Sequence, residues 1–147
     1  MIEQVQLPIE DDDILFYRIP KSIFKPDFNF NEIPPMAFNP QGDYLSTNWQ
    51  KFCPTALDCL EIKTTNYPNG KTSKTHGVGH FVCGEIRSLK FLQINLEVKH
   101  VVPSSHYSHA GVFNLPPRNL KAELVEMRFK LRGIFNKWDI APEHKEN

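Results

Sequence analysis

Alternation of apolar and polar residues across residues 92–99 is the strongest constraint on how this chain can fold. Four apolar residues of this run share one parity: Leu92, Ile94, Leu96 and Val98. Because successive side chains of a β-strand point to opposite faces of the sheet, this period of two predicts a half-buried antiparallel strand. His100 continues the apolar parity, so we expect its imidazole on the covered side of the sheet.

A second strand is predicted just before the first, over residues 77–87, where three glycines indicate bulges or close backbone contacts. Only residues 88–90 separate the two strands, and so short a link predicts an antiparallel hairpin. The register of that hairpin would bring His80 and His100 onto one face of the sheet.

Two shorter strands are predicted nearer the N-terminus, over residues 14–19 and 43–49. Pro20 closes the first, since proline cannot donate a hydrogen bond to a neighbouring strand. Arg18 is the only charged residue of that strand, and a charge on a core strand must be paired or must line a cavity. Arg18 is therefore a candidate anion-binding residue, with a structural ion pair or a solvent-exposed strand end as the alternative.

The first third of the chain is rich in proline and aromatic residues. Seven of the twelve prolines fall within residues 1–54, so regular structure there must be short. Aromatic residues are spread through the same region, among them Phe24, Phe28, Phe30, Phe38 and Trp49. Such residues usually pin a long loop to the core, and the alternative is a ligand-binding wall. A short helix is predicted just after them, over residues 54–62.

The C-terminal segment predicts a long amphipathic helix. Its apolar residues recur at intervals of three and four as one stripe: Leu120, Leu124, Met127, Leu131 and Ile134. The opposite side is mildly basic, which indicates a solvated face or, as the less favoured alternative, contact with nucleic acid. Apolar residues continue past Gly133 at Phe135, Trp138 and Ile140. Because these residues need a cover, we expect a homodimer or another protein partner through this helix.

With strands in the middle and one long helix at the end, the chain is predicted to adopt an α+β fold with a mainly antiparallel sheet. Its 147 residues correspond to one globular domain, which we assign to residues 14–147. Residues 1–13 end in three consecutive aspartates and are predicted to form a flexible lead-in.

Charge and cysteine content restrict the environment of the protein. Lys plus Arg and Asp plus Glu both number 17, so no overall field attracts nucleic acid or an acidic membrane. The three cysteines lack C-x-x-C spacing, which favours reduced thiols in the cytoplasm over a disulfide framework. The sequence shows neither a secretion signal nor a run long enough to span a bilayer. We therefore expect a cytoplasmic protein with no membrane partner.

Three histidines fall within ten residues: His100, His106 and His109. They lack the ligand spacing of zinc sites, so neither a metal nor another cofactor is predicted. Imidazoles titrate near neutral pH and are suited to proton transfer or to binding an anion. The alternative is that these histidines are plain hydrogen-bonded residues of the fold.

Short segments at residues 15–20 (LFYRIP), 45–49 (LSTNW) and 106–110 (HYSHA) carry a resemblance to known proteins. Together they resemble the landmarks of a family of small bacterial proteins of uncharacterised function. The likeness covers most of the chain but implies no activity.

The order of some polar residues is also similar to that of ADP-ribosyltransferase-like folds. Tyr17 and Arg18 are followed by residues 45–47 (LST) and then by a strand glutamate, either Glu85 or Glu97. In those folds the arginine and serine hold a nicotinamide dinucleotide, and the glutamate orients the ribose. The resemblance implies such roles here, although this chain lacks the E-x-E or Q-x-E pair.

Two hypotheses about function follow. The favoured one is a non-enzymatic binding or accessory module, encoded beside a bacterial toxin or defence protein. The alternative is a small enzyme acting on a nucleotide or RNA phosphodiester, either ADP-ribosyltransferase-like or histidine-dependent. In that enzyme four residues would be catalytic, the arginine binding phosphate and the imidazoles moving protons: Arg18, His100, His106 and His109. Four others would bind the ligand: Tyr17, Ser46, Thr47 and Trp49.

Overall fold

The computed structural model describes residues 4–24, 29 and 32–143, and its fold is α+β, as predicted. The described strands are β1 Ile14–Pro20, β2 Leu45–Trp49, β3 His76–Val82, β4 Lys90–Phe91, β5 Ile94–Asn95, β6 Glu97–His100, β7 His109–Phe113 and β8 Asn136–Ile140. The α-helices are α1 Ala56–Leu60, α2 Cys83–Arg87 and α3 Lys121–Ile134, and short 3-10 helices cover Lys21–Ile23, Pro35–Phe38 and Gln50–Phe52. Phe28 and Phe30 of the aromatic region lie outside the described residues.

Strands of the main sheet are all antiparallel and follow the order β6-β7-β2-β1-β3-β8, while β4 and β5 form a separate hairpin. β1 pairs with β3 along its whole length, from Ile14 opposite Val82 to Pro20 opposite His76. On its other side, β1 pairs with β2 only at Leu15 and Phe16. The second half of β1, which contains Arg18, therefore extends beyond its ladder with β2.

One face of the sheet, called the core face below, carries the main hydrophobic core. β1 contributes Leu15, Tyr17 and Ile19 to this core, and alternate residues of the other strands join them. Phe38 and Phe81 are the largest of its fully buried side chains. The helix stripe predicted from the sequence is confirmed, because α3 buries three of its members: Leu124, Met127 and Leu131.

The opposite face of the sheet, called the polar face below, is covered only in part. The segment after β2 and α1 pack a small apolar cluster onto it: Phe16, Cys53, Cys59, Leu60 and Val78. α1 begins at a capping box in which Thr55 and Asp58 exchange hydrogen bonds of 3.2 and 3.1 Å between backbone N–H and side chain. This cap fixes the start of the helix predicted over residues 54–62 and so positions Cys59.

The middle of the chain departs from the prediction. The strand predicted over residues 77–87 ends at Val82, and α2 follows directly. The long strand predicted from residue 91 is interrupted, because Leu92 and Gln93 have positive φ angles of 51° and 68° and form the turn between β4 and β5. Leu92 and Ile94 are 71% and 60% exposed, so only the second half of the alternating run faces the core.

His80 and His100 do not share a hairpin, and this part of the prediction is wrong. β1, β2 and β7 lie between their strands in the sheet. His100 is buried on the core face, as its parity predicted. His80 lies opposite Phe16 on the polar face, with its Nδ1 atom 2.8 Å from Oδ2 of Asp139.

The apolar residues after α3 are covered within the chain itself. β8 pairs with β3, Phe135 is buried in the core, and Trp138 packs against the same cluster. The reason given for a homodimer is thereby removed, and the dimer itself stays a prediction. Among the described residues, none of the helices combines the length and the apolar character that crossing a bilayer requires.

Residues 4–13 of the predicted lead-in lie against the sheet. The backbone N–H of Leu7 donates to Nδ1 of His100 at 3.1 Å, and Gln4 and Ser104 exchange hydrogen bonds of 2.9 and 2.7 Å. Ile9 is buried in the core. These contacts connect the segment to the end of β6 and to the loop that follows it, which the run of aspartates gave no reason to expect.

Candidate functional site

Predicted site residues Arg18, Ser46 and His109 lie on the polar face, on the adjacent strands β1, β2 and β7. The pairing of Phe16 with Asn48, and of Asn48 with His109, fixes the register across these strands. Residues directly opposite in an antiparallel pair share a face, and so do residues two apart along one strand. The three side chains therefore project from the same side of the sheet.

Ser46 and His109 are joined by a hydrogen bond. Oγ of Ser46 is 2.8 Å from Nε2 of His109, and Nδ1 of the same ring is 3.2 Å from Oγ of Ser104. Oγ of Ser104 also accepts a hydrogen bond from the backbone N–H of His106 at 3.4 Å. A serine hydroxyl within hydrogen-bond reach of an imidazole nitrogen is the arrangement in which the imidazole can take up the hydroxyl proton.

Two basic residues that the sequence did not single out complete the site. Lys71 lies in the loop between α1 and β3, with its Nζ atom 4.5 Å from the centre of the Tyr67 ring. Gly70 makes the preceding turn possible, since its φ is +81° and a Cβ there would lie 2.5 Å from the carbonyl oxygen of Glu61. His76, the first residue of β3, is buried next to this loop.

Five basic side chains interact electrostatically and are called the basic cluster below: Arg18, Lys71, His76, His106 and His109. Burial, followed by the charges of Lys71 and Arg18, lowers the pKa of His76 to about 4. Burial, followed by His109 and other members of the cluster, lowers the pKa of His106 to about 4. Burial and then Arg18 also lower the pKa of His109, and lower that of Lys71 to about 8. At neutral pH the imidazoles are therefore uncharged, and the positive charge rests on Arg18 and Lys71.

Within the described residues, no carboxylate forms an ion pair with Arg18 or Lys71. The ion pairs found there lie elsewhere: Arg87 with Asp11 and Glu97, His80 with Asp139, and Lys130 with Glu126. Nη1 of Arg18 donates a long hydrogen bond of 3.4 Å to the carbonyl oxygen of Cys59. A partly buried guanidinium without a counter-charge is unfavourable, and a bound anion would remove that penalty.

Cys59 adjoins the basic cluster on the side of α1. Nδ2 of Asn48 donates to its Sγ atom at 3.5 Å, and Oδ1 of Asn48 accepts a hydrogen bond of 3.1 Å from Ser108. A hydrogen bond from Cys53 lowers the pKa of Cys59, and the charge of Arg18 lowers it further. The same hydrogen bond raises the pKa of Cys53. Cys59 is the more acidic thiol of the two, but it is completely buried.

His100 is the predicted catalytic residue that the structure places apart from the others. It lies on the core face, with its ring stacked on Phe52 at a centroid distance of 5.7 Å. Nδ1 accepts the hydrogen bond from Leu7, so Nε2 carries the proton and donates to the carbonyl oxygen of Tyr107 at 2.6 Å. Both ring nitrogens are used by the fold, which gives His100 a structural role.

The predicted ligand-binding residues Tyr17, Thr47 and Trp49 also belong to the core face. The hydroxyl of Tyr17 donates to a backbone carbonyl at 2.5 Å, and burial raises its pKa to about 12. Thr47 donates to the carbonyl oxygen of Ala110 at 3.0 Å. Trp49 is 2% exposed and lines a groove of about 520 Å³ beside the N-terminal segment. Ser46 is thus the predicted ligand-binding residue that lies beside the basic cluster.

Sequence reasoning missed Lys71 and His76, because Lys71 lies in a loop that shows no periodic pattern and the strand predicted over residues 77–87 begins one residue after His76. It also missed Tyr44, whose ring lies 5.7 Å from that of His109. The shared parity of Tyr44 and Ser46 within the predicted strand over residues 43–49 was the signal that would have found it. In the part of the chain that the structure describes, no three His, Cys, Asp or Glu residues are grouped so as to hold a metal ion.

Comparison of the chain with models of protein families, with curated proteins and with solved structures gave no match. The glutamates of the ADP-ribosyltransferase-like pattern lie outside the basic cluster: Glu97 is paired with Arg87 at 2.8 Å, and Glu85 is exposed on α2. Both resemblances drawn from the sequence stay predictions.

Proposed function

We propose that this chain binds a phosphate-bearing ligand, a nucleotide or RNA phosphodiester, whose anionic group is held by the basic cluster. The observation that carries the proposal is that no described carboxylate forms an ion pair with Arg18 or Lys71, while burial and then the charges of the cluster lower the pKa of Lys71, His76 and His106. Such a concentration of positive charge is offset most directly by an anion bound between the side chains.

The chemistry of the cluster fits phosphate in particular. A guanidinium presents paired N–H donors that match two phosphate oxygens, and an ammonium group adds a compact second charge. Neutral imidazoles and the hydroxyl of Ser46 can donate further hydrogen bonds to a phosphate. Because a bound anion favours the protonated forms of its neighbours, binding is also expected to raise the pKa of Lys71 and of His106.

The experiment is a calorimetric titration of inorganic phosphate at neutral pH into the wild-type chain and the Arg18→Gln variant. We expect saturable binding to the wild type and an affinity at least about tenfold lower for the variant. Arg118→Gln, which removes an exposed arginine before α3, is the matched control and should bind like the wild type. Absence of binding to the wild type, or equal affinities for all three proteins, would overturn the proposal.

A second candidate function, the small enzyme acting on a nucleotide or RNA phosphodiester, is favoured by the hydrogen bond between Ser46 and His109. In such a reaction Oγ of Ser46 attacks phosphorus, Nε2 of His109 takes the hydroxyl proton, and the leaving oxygen departs with a proton returned by the same ring. The intermediate is a phosphodiester between Oγ of Ser46 and the part of the substrate that remains. Water attacks its phosphorus and gives a proton to His109, the P–Oγ bond breaks, Oγ regains a proton from the same ring, and a phosphomonoester is released. Burial and the charge of Arg18 lower the pKa of His109 and keep the ring in the neutral form that accepts a proton.

The two candidates are separated by Ser46→Ala with bis(p-nitrophenyl) phosphate as substrate. The enzyme hypothesis requires that the wild type releases nitrophenol and that Ser46→Ala does not, while Ser46→Ala still binds inorganic phosphate with an affinity lowered by less than about tenfold, the loss expected for one hydrogen bond. If the wild type binds phosphate but releases no nitrophenol, the enzyme hypothesis is excluded and the binding function remains.

The remaining predictions about biological role stay proposals. A cytoplasmic location is supported by three cysteines that form no disulfide. An accessory role beside a bacterial toxin or defence protein, and a homodimer through α3, are proposed from the sequence. For the dimer, the exposed apolar side chains Val125 and Phe129 on α3 are the relevant surface.

A further inference from the structure

An aromatic surface adjoins the basic cluster on the polar face. Along β7, His109, Gly111 and Phe113 follow one another on that face, two residues apart. Tyr44, the residue before β2, lies beside them, with its ring centroid 4.9 Å from that of Phe113 and 5.7 Å from that of His109. We call Tyr44, Gly111 and Phe113 the aromatic floor.

Gly111 is what allows the two rings to lie against the strand. A Cβ atom at this position would be 2.7 Å from Cδ2 of Tyr44 and 2.8 Å from Cε2 of Phe113. Both distances are well below van der Waals contact, and in both cases the obstructing atoms belong to rings that lie over the glycine. The absence of a side chain at Gly111 therefore shapes the surface.

The aromatic floor is partly exposed, and the charged residues beside it include Lys99 and, opposite Phe113 on β6, Glu97, whose carboxylate is paired with Arg87. Tyr44 and Phe113 are half-buried, and neither ring belongs to the apolar clusters that hold the fold together. Nζ of Lys99, on the neighbouring strand β6, is 5.4 Å from the centre of the Phe113 ring. Cross-strand aromatic pairs, including rings that lie over a glycine, also stabilise sheets, but that role does not require the basic cluster to adjoin the rings.

We propose that the aromatic floor is a base subsite, so that the ligand of this chain is a nucleoside phosphate whose base stacks on Tyr44 and Phe113. The inference rests on the proposed function, because the phosphate of the same molecule occupies the basic cluster. His109 contacts the aromatic floor on one side and Ser46 on the other, so it lies between base and phosphate. A single nucleotide is the ligand size that fits, since the net charge of the chain is zero and a long nucleic acid needs an extended basic surface.

The test compares AMP with ribose 5-phosphate, which has the same phosphate and sugar but no base. We expect the wild type to bind AMP at least about tenfold more tightly, the range that stacking of one base provides. Phe113→Leu removes a ring but keeps an apolar side chain, and Gly111→Ala displaces both rings. Both variants are expected to lose the preference for AMP and to keep the affinity for ribose 5-phosphate. Phe129→Leu, which removes an exposed ring on α3, is the control and should behave like the wild type.

The comparison of AMP with ribose 5-phosphate on the wild type tests the base subsite even if a variant does not fold. Equal affinities for AMP and ribose 5-phosphate would overturn the base subsite, and the proposed function would survive if Arg18→Gln still weakened both. Binding of neither compound would overturn both proposals together. An adenosine tetranucleotide that binds at least about tenfold more tightly than AMP would overturn the assignment of a single nucleotide in favour of single-stranded RNA.

Discussion

Ser46 and His109 are diagonal neighbours on β2 and β7, with Oγ and Nε2 2.8 Å apart, although they are 63 positions apart in the chain. Their contact depends on the register that places Asn48 opposite His109, and the same row continues to Phe16 on β1. Arg18 lies two residues further along β1 on the same face. The serine, the histidine and the arginine of the site thus come from three adjacent strands, and no local sequence motif indicates that they lie close together.

Replacing Arg18 by methionine is expected to weaken phosphate binding without lowering the free energy of unfolding. The affinity for phosphate should fall at least about tenfold, because the bidentate donor is lost. The free energy of unfolding should stay unchanged or rise by about 1 kcal/mol, because an unpaired, partly buried charge is replaced by an apolar chain of similar length. Urea unfolding together with calorimetry measures both quantities. A destabilisation of more than about 2 kcal/mol would mean that Arg18 mainly supports the fold.

The affinity for sulfate is expected to fall between about pH 7 and about pH 9, because Lys71 has a pKa of about 8 and loses its charge in this range. Sulfate is a suitable probe, since its own charge does not change there. Lys71→Arg keeps the positive charge, and its affinity should be nearly constant over the same range. Identical pH profiles for the wild type and Lys71→Arg would exclude Lys71 from the binding site.

The free energy of unfolding is expected to decrease as the pH falls from about 6.5 to about 4. In the folded chain burial and the neighbouring cations hold the pKa of His76 and of His106 at about 4, below the ordinary value of 6.5. Between these values the unfolded chain binds more protons, so stability is fully present above the ordinary pKa and is lost on acidification. After allowance for solvent screening, each histidine is expected to contribute on the order of 1 kcal/mol. His76→Gln should reduce the slope of stability against pH, and an unchanged slope in urea unfolding would contradict this assignment.

Alanine variants of His100 and His109 are expected to have opposite effects. His100→Ala leaves the N–H of Leu7 and the carbonyl oxygen of Tyr107 without their partner and opens a space beside Phe52. It should lower the free energy of unfolding by about 2–4 kcal/mol and leave phosphate affinity unchanged. His109→Ala should lower stability by less than about 1 kcal/mol and weaken phosphate binding. The reverse pattern would assign the functional role to His100.

The sequence was informative where local pattern and tertiary environment agree. β1, β2 and α3 follow the predicted positions, because parity or helical spacing there matches the face that is buried. The parity of His100 predicted its burial correctly, but not that the core would occupy both ring nitrogens. The ligand-binding role predicted for Tyr17 and Thr47 rests on the resemblance, and that of Trp49 on its aromatic ring, whereas the parity of all three places them on the core face.

Other features of the fold and of the site have no local signal in the sequence. The turn at Leu92 and Gln93 contains no glycine or asparagine, although both residues adopt positive φ angles, so nothing marked the break in the alternating run. The pairing of β8 with β3 joins distant segments, and it covers the apolar residues that were expected to form a dimer. His76 lies near Arg18 because of the pairing between β3 and β1, and Lys71 reaches the same place through the loop after α1.

The most direct test of the account is an NMR titration of the imidazole protons of His106 in the absence and presence of sulfate. We expect a pKa of about 4 for His106 in the free protein, and a pKa higher by at least about one unit when sulfate is bound, because the anion favours the charged ring. A value close to 6.5 that does not respond to sulfate would contradict the basic cluster and, with it, the proposed binding of phosphate.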